Sequence, residues 1–131
     1  MKFLLVEDYP SIQEIYKEVF EDRGHQVDVC SDGRIALAKL DANKYDLIAL
    51  DILLPKVGGV EFLKKLKKDF KPMPKVLVLS DFDKPDLVEQ VKSMGVVDYL
   101  IKAEYTPSQL VSLLEKYATG ELPKDGRQDS K

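Results

Sequence analysis

The chain has 131 residues, a net charge of -3, and is 44% hydrophobic and 33% charged. That make-up suits one globular domain, large enough to bury about two thirds of the surface its unfolded form exposes. It provides no global field that would draw the chain onto nucleic acid, and no apolar run approaches the roughly 18 residues a membrane helix requires. Met1 to Val6 is too short an apolar segment before Glu7-Asp8 for a signal peptide, so a cytoplasmic location with no membrane partner is expected. Cys30 is the single cysteine and cannot form an internal disulfide, so it reads as a buried bystander. The lone His25 sits in a turn with no Cys or second His beside it and reads as a surface residue, not a metal ligand.

Taken in order, five apolar strand candidates alternate with five amphipathic helix candidates, the signature of a doubly wound parallel sheet. The first strand covers residues 2–6 and runs into Glu7-Asp8. The first helix starts near Pro10, carries Ile12, Ile15, Tyr16, Val19 and Phe20 on one face, and is stopped by Gly24. The second strand spans residues 26–30, and the turn Ser31-Asp32-Gly33 leads to a helix with Ile35, Leu37, Ala38 and Leu40 as its apolar face, ending near Asn43. Residues 46–51, Asp-Leu-Ile-Ala-Leu-Asp, form an apolar run that reads as a strand buried on both faces. The loop Leu54-Pro55-Lys56-Val57-Gly58-Gly59 follows. The third helix spans residues 59–69, with Phe62, Leu63, Leu66 and Phe70 inward and Lys64, Lys65, Lys67 and Lys68 as a solvated face. Residues 71–74 connect to a fourth strand over 75–79 that ends in Ser80. The fourth helix is expected over 84–94, with Leu87, Val91 and Met94 on one stripe and Gly95 closing it. The fifth strand, 97–101, ends at Lys102, and the last helix opens with Thr106 as N-cap and Pro107 in its first turn. Its apolar face is Leu110, Val111, Leu114 and Tyr117. One domain is expected over 1–118, with a disordered polar tail over 119–131.

Each strand thus delivers a polar group at its C-terminal end: Glu7 and Asp8, Asp51, Ser80 and Lys102. In an open parallel sheet this edge collects ligands, and in strand order 2-1-3-4-5 the first and third strands are neighbours about 4.8 Å apart, so Asp8 and Asp51 face each other. Carboxylates so placed repel unless a cation neutralises them, and a hard, oxygen-rich, solvent-open cluster suits Mg²⁺. Such an ion would screen an anionic nucleophile from an anionic phosphorus. Lys102 then offers a positive charge and Ser80 a hydroxyl donor to phosphoryl oxygens. These parts fit phosphoryl transfer onto Asp51.

Glu7-Asp8, Asp51, the loop from Leu54 to Gly59, Ser80, and Asp98-Tyr99-Leu100-Ile101-Lys102 resemble the motifs of the receiver domain of bacterial two-component response regulators, over about residues 2–118. The resemblance is to the single-domain chemotaxis-regulator type, and it implies a flavodoxin-like α/β fold. It implies that Asp51 takes a phosphoryl group from a histidine of a sensor kinase or phosphotransfer protein. It also implies Mg²⁺ on Asp8, Asp51 and the backbone carbonyl of Leu53, with Glu7 acting mainly through water. Ser80 and Tyr99 would form a switch pair in which Tyr99 turns inward, biasing the surface of the fourth helix, fifth strand and fifth helix toward a downstream protein. Such a domain is no enzyme beyond its own phosphorylation and dephosphorylation, is a monomer or weak phosphorylation-dependent dimer, and contacts no nucleic acid within this chain.

Two positions depart from the family's pattern. Ala103 follows Lys102 where the family usually has a cis-bonded proline, so either a trans bond with a shifted loop or a strained cis bond is expected. Asp81 follows Ser80 where a small residue is usual, and a further carboxylate there is expected to narrow access and slow phosphorylation by small donors. Leu53 and Phe82 are apolar and cannot orient an attacking water, so slow loss of phosphate is expected. A phosphatase of the haloacid-dehalogenase type would need an acid two residues past Asp51, where Leu53 stands; a phosphorylation-independent pseudo-receiver binding module would have broken acidic or lysine positions, and here all are present, although Ala103 and Asp81 keep it as the alternative. No Gly-rich Lys-Ser/Thr loop follows the first strand, which excludes a P-loop enzyme.

Overall fold

The computed structural model describes residues 1–54 and 57–122. Five strands, β1 (Lys2–Val6), β2 (Gln26–Cys30), β3 (Leu47–Leu50), β4 (Val76–Ser80) and β5 (Asp98–Ile101), pair in parallel in the order β2-β1-β3-β4-β5. Helices α1 (Pro10–Asp22), α2 (Gly33–Ala42), α3 (Gly59–Asp69), α4 (Pro85–Lys92) and α5 (Pro107–Thr119) form the crossovers. This is the doubly wound sheet expected from the alternation of elements, in the flavodoxin-like form that the receiver resemblance implies.

The period of two along each strand divides the apolar side chains between the faces. Leu4, Val6, Ile48, Leu50, Val76 and Val78 pack with Phe62, Leu63 and Leu66 of α3 and Val91 of α4. Phe3, Leu5, Leu47, Ala49, Leu77 and Leu79 pack with α1 and α5 through Tyr16, Phe20, Leu110, Val111 and Leu114. Every residue of β3 and β4 is buried, as a strand covered by helices on both faces must be.

Several helix details differ from the sequence expectation. In α2 the inward residues are Gly33, Ala36 and Leu40, with Leu37 partly buried, whereas Ile35 and Ala38 are exposed. At Gly33 the cause is a close approach: a Cβ there would stand 2.8 Å from the Val57 carbonyl oxygen and 3.2 Å from Phe62 Cβ, so glycine lies against α3 and the loop before it, while bulky Ile35 is exposed. Ile15 of α1 is also exposed, at 49%. Helix α4 stops at Lys92, since Ser93 and Met94 donate their N–H groups back to Gln90 and Val91 in a tight turn toward Gly95, which has φ of +92. Thr106 caps α5 in a reciprocal capping box with Gln109. Thr119 ends α5 and Leu122 packs on the core; residues 123–131 of the tail expected from the sequence, like Pro55 and Lys56, lie outside the described residues.

Candidate functional site

Continuation of the sheet ladder past the strand ends brings the acids together. The Glu7 N–H donates to the Cys30 carbonyl at 3.0 Å, and the Asp51 N–H donates to the Val6 carbonyl at 3.0 Å. Both residues are therefore anchored one step beyond β1 and β3, in the continuation of the Val6–Leu50 pairing. Glu7 is 2% exposed and Asp51 8%. One carboxylate oxygen from each of Glu7, Asp8 and Asp51 lies within 4.8 Å of the others.

Lys102 follows β5, whose last pair is Ser80 with Ile101. Its ammonium reaches Glu7 Oε1 at 2.7 Å and Asp51 Oδ2 at 3.4 Å. Burial pulls the Lys102 pKa down, but hydrogen bonds and charge from Glu7 and Asp51 outweigh it and hold the pKa above the ordinary lysine value. The remaining acidic oxygens find mostly backbone donors: Asp51 Oδ1 accepts from Leu53 N–H at 3.1 Å, and Glu7 Oε2 from Tyr9 N–H at 3.1 Å. Asp8 Oδ1 is buried with no hydrogen-bond partner among the described residues. A buried carboxylate oxygen left without a donor beside two further carboxylates is a site built for a hard cation, and the donor set fits Mg²⁺.

Ser80 is fully buried, and its Oγ accepts from the Phe82 N–H at 3.2 Å. Tyr99 lies inward at 6% exposure, with its hydroxyl donating to the Phe82 carbonyl at 2.6 Å. Burial raises the Tyr99 pKa, against an opposing hydrogen bond with Ser80. The loop after β4 thus joins the two hydroxyl-bearing residues through the Phe82 backbone. Leu53 projects its side chain into solvent at 56% exposure, whereas Phe82 is partly buried against the core.

Of the residues singled out in the sequence, Glu7, Asp8, Asp51 and Lys102 meet in one cluster, and Ser80 and Tyr99 meet around Phe82. Gln13 was not singled out: its side-chain amide donates to the Glu7 carbonyl. Nor was the contact in which Ala103 N–H donates to Asp81 Oδ1 at 2.7 Å. The sole cis peptide bond among the described residues is Lys71–Pro72, so the Lys102–Ala103 bond is trans and opens a 3-10 turn over Lys102–Glu104.

The response regulator receiver domain matches this sequence over residues 3–115. The chain belongs to that family. The transcriptional regulatory protein PhoP for alkaline phosphatase synthesis of Bacillus subtilis is 35% identical over 101 residues, 77% of this chain and 42% of that protein. The transcriptional regulatory protein DltR of Streptococcus agalactiae is 33% identical over 102 residues, 78% of this chain and 45% of that protein. The chain therefore spans less than half the length of these two regulators. Among solved structures, the chemotaxis protein CheY4 of Vibrio cholerae superposes with a TM-score of 0.76 at 30% identity, covering 88% of this chain and 96% of that one. The receiver domain of the Francisella response regulator 1452 gives a TM-score of 0.81 at 28% identity, covering 92% and 98%. The receiver domain described here is thus a signalling module of two-component systems, with an acidic cluster able to hold a metal. No helix among its described residues is long and apolar enough to cross a membrane.

Proposed function

We propose that this receiver domain accepts a phosphoryl group on Asp51 from a phosphohistidine of a sensor kinase or phosphotransfer protein, in the cytoplasm. The observation that carries the reading is the unequal charge at the sheet edge: three converging carboxylates, one ammonium, and a buried Asp8 oxygen without a donor. A carboxylate oxygen of Asp51 attacks phosphorus, the P–N bond breaks, and the imidazole leaves with the electron pair and takes up a proton. Asp8, Asp51 and the Leu53 carbonyl would hold Mg²⁺, with Glu7 through water, and the ion would supply charge screening between the carboxylate and the phosphoryl oxygens. Lys102, already 3.4 Å from Asp51, neutralises a phosphoryl oxygen by exchanging part of its pairing with Glu7.

Ser80 and Tyr99 form the relay. A phosphoryl oxygen that draws the Ser80 hydroxyl breaks its bond with Phe82, whose carbonyl holds Tyr99. Tyr99 also lines a surface concavity of about 470 Å³ with Val88, Glu89 and Lys92 of α4 and Ile101 of β5. A change at Ser80 would therefore reach the α4 and β5 part of the α4–β5–α5 face, where a downstream protein would bind. Leu53 and Phe82 give water no orienting group, so the phosphorylated form decays slowly in the purified protein.

The test is intact-mass spectrometry after treatment with a small phosphodonor and Mg²⁺. The expected result is a gain of one phosphoryl mass that requires Mg²⁺ and is absent from Asp51→Ala. No gain, either from the small donor or from a phosphohistidine protein, overturns the assignment.

A further inference from the structure

The two departures from the family pattern touch each other. A proline after Lys102 would have no N–H to give, whereas Ala103 has one and donates it to Asp81 Oδ1 at 2.7 Å. The bond ties the loop after β4 to the loop after β5, between residues 22 apart in sequence. It acts directly beside Lys102, whose ammonium is placed on Glu7 and Asp51 at the same time. Beyond Ala103 the turn closes by Tyr105 N–H to the Lys102 carbonyl at 3.2 Å, and Tyr105 packs on the α1–α5 core. Lys102 is thus held on one side by β5 and on the other by a short turn whose middle residue is fixed by Asp81. Asp81, Lys102 and Ala103 line one groove with Ile12, Tyr16 and Tyr105.

We propose that Asp81 is a positioning residue for phosphoryl transfer: by accepting the Ala103 N–H it fixes the trans-bonded loop that aims the Lys102 ammonium at Asp51. The proposal rests on Asp51 being the acceptor. It reverses the sign expected from charge alone, under which the Asp81 carboxylate repels an incoming phosphodonor and its removal speeds the reaction. In the structure that carboxylate is engaged by a backbone donor, and its removal frees the loop. A charge-assisted bond is stronger than a neutral one, yet an Asn side-chain oxygen at the same place can still accept the N–H.

The experiment measures the rate constant for phosphorylation by phosphoramidate at saturating Mg²⁺, in wild type, Asp81→Ala and Asp81→Asn, each with Ala103 and with Ala103→Pro. Exchange of the Ala103 amide hydrogen is followed by NMR in the metal-free proteins. Losing the bond is expected to slow Asp81→Ala about three- to tenfold, while Asp81→Asn stays within about twofold of wild type. The Ala103 amide should exchange faster in Asp81→Ala alone. In the Ala103→Pro background the donor is gone, so Asp81→Ala should change nothing further. Faster phosphorylation of both Asp81 variants would show that the carboxylate acts by repulsion and overturn the proposal. So would an equal slowing by Asp81→Ala with and without Ala103→Pro. A wild type that takes up no phosphoryl group sinks the Asp51 reading and this proposal with it, whereas a phosphorylated wild type with variants out of this order sinks the proposal alone.

Discussion

The two ends of the sheet carry the same kinds of side chain and use them in opposite ways. At the N-terminal end, Lys2 N–H donates to Asp46 at 2.8 Å, the Met1 ammonium meets His25 at 3.0 Å, and Glu115 takes both His25 and Arg23. Lys75 donates to the Tyr117 carbonyl at the end of α5 at 3.3 Å. Unlike groups alternate there, most are partly solvated, and each named group has its complement. At the C-terminal end three carboxylates converge, the Lys102 ammonium pairs with two of them, those two are nearly buried, and Asp8 Oδ1 has no donor among the described residues. Pairing at one end is resolved within the chain. At the other the acids form a cluster able to hold a metal, and this contrast between the two ends is open to measurement.

The largest effect that sharpens the contrast falls on the apolar shoulder of the working end. Cys30 ends β2, is 4% exposed, and burial pushes its thiol from an ordinary 9.0 up to about 12. At pH 8 those three units leave about a thousandfold less thiolate than in the unfolded chain, so iodoacetamide should label native protein slowly and urea-unfolded protein readily. The sign for stability follows. Because the native pKa lies above the unfolded one, the contribution is complete below pH about 9 and is lost as the pH climbs toward about 12. Rapid native labelling at pH 8 would show that this edge opens freely.

Next is the glycine that lets the start of α3 lie against the backbone of Ile52, the residue after Asp51. A Cβ on Gly59 would stand 2.6 Å from Ile52 Cα and 2.7 Å from the Ile52 carbonyl oxygen, which are backbone atoms unable to swing aside. Gly59→Ala should cost about 2 kcal/mol in urea unfolding, within the usual range for overpacking. A cost below a few tenths would mean that the loop has room the geometry denies.

Asp8→Asn should act in the opposite direction. In EDTA, removing one of three crowded charges is expected to raise stability by about 1 kcal/mol. Mg²⁺ should stabilise the wild type by mass action and the variant far less, so the order of the two proteins reverses as the ion is added. If Asp8→Asn were destabilising in EDTA, the carboxylates would not be in conflict and the contrast between the two ends would fail.

How much of this was legible in sequence follows from the range of the interactions. The strands could be read because hydrophobic runs locate them, and given the order 2-1-3-4-5, which the receiver resemblance implies, the parallel topology places Glu7, Asp8 and Asp51 at one edge. The face of α2 could not, because Gly33 and Ala36 add little to an apolar pattern, yet both are buried and the approach of Val57 and Phe62 leaves no room for a side chain at Gly33. The receiver resemblance implies that Tyr99 turns inward; that it already lies inward with its hydroxyl on the Phe82 carbonyl involves a backbone acceptor that no side-chain pattern announces. The bond between Asp81 and Ala103 was hidden for the same reason: both residues stood out singly, but the donor is a main-chain N–H exposed by the trans loop. Backbone partners brought together across loops are the part of a site that residue types alone do not reveal.

The smallest effect belongs to the satisfied end, and its smallness is the point. Glu115 holds Arg23 at 2.9 Å and His25 at 2.6 Å, with roughly a quarter to a third of the Glu115 and Arg23 side chains in solvent. Partly solvated pairs of this kind gain little over hydration, so Glu115→Gln should lose about 0.5 kcal/mol or less, the loss shrinking as salt screens it. Among the described residues Glu115 pairs with Arg23 and His25, and neither of these pairs with the acids around Asp51. Phosphorylation of Asp51 should therefore proceed in Glu115→Gln at the wild-type rate. A slowed reaction at unchanged stability would show that the two ends are coupled through α1 and α5, and that charge pairing at the quiet end sets the geometry of the working one.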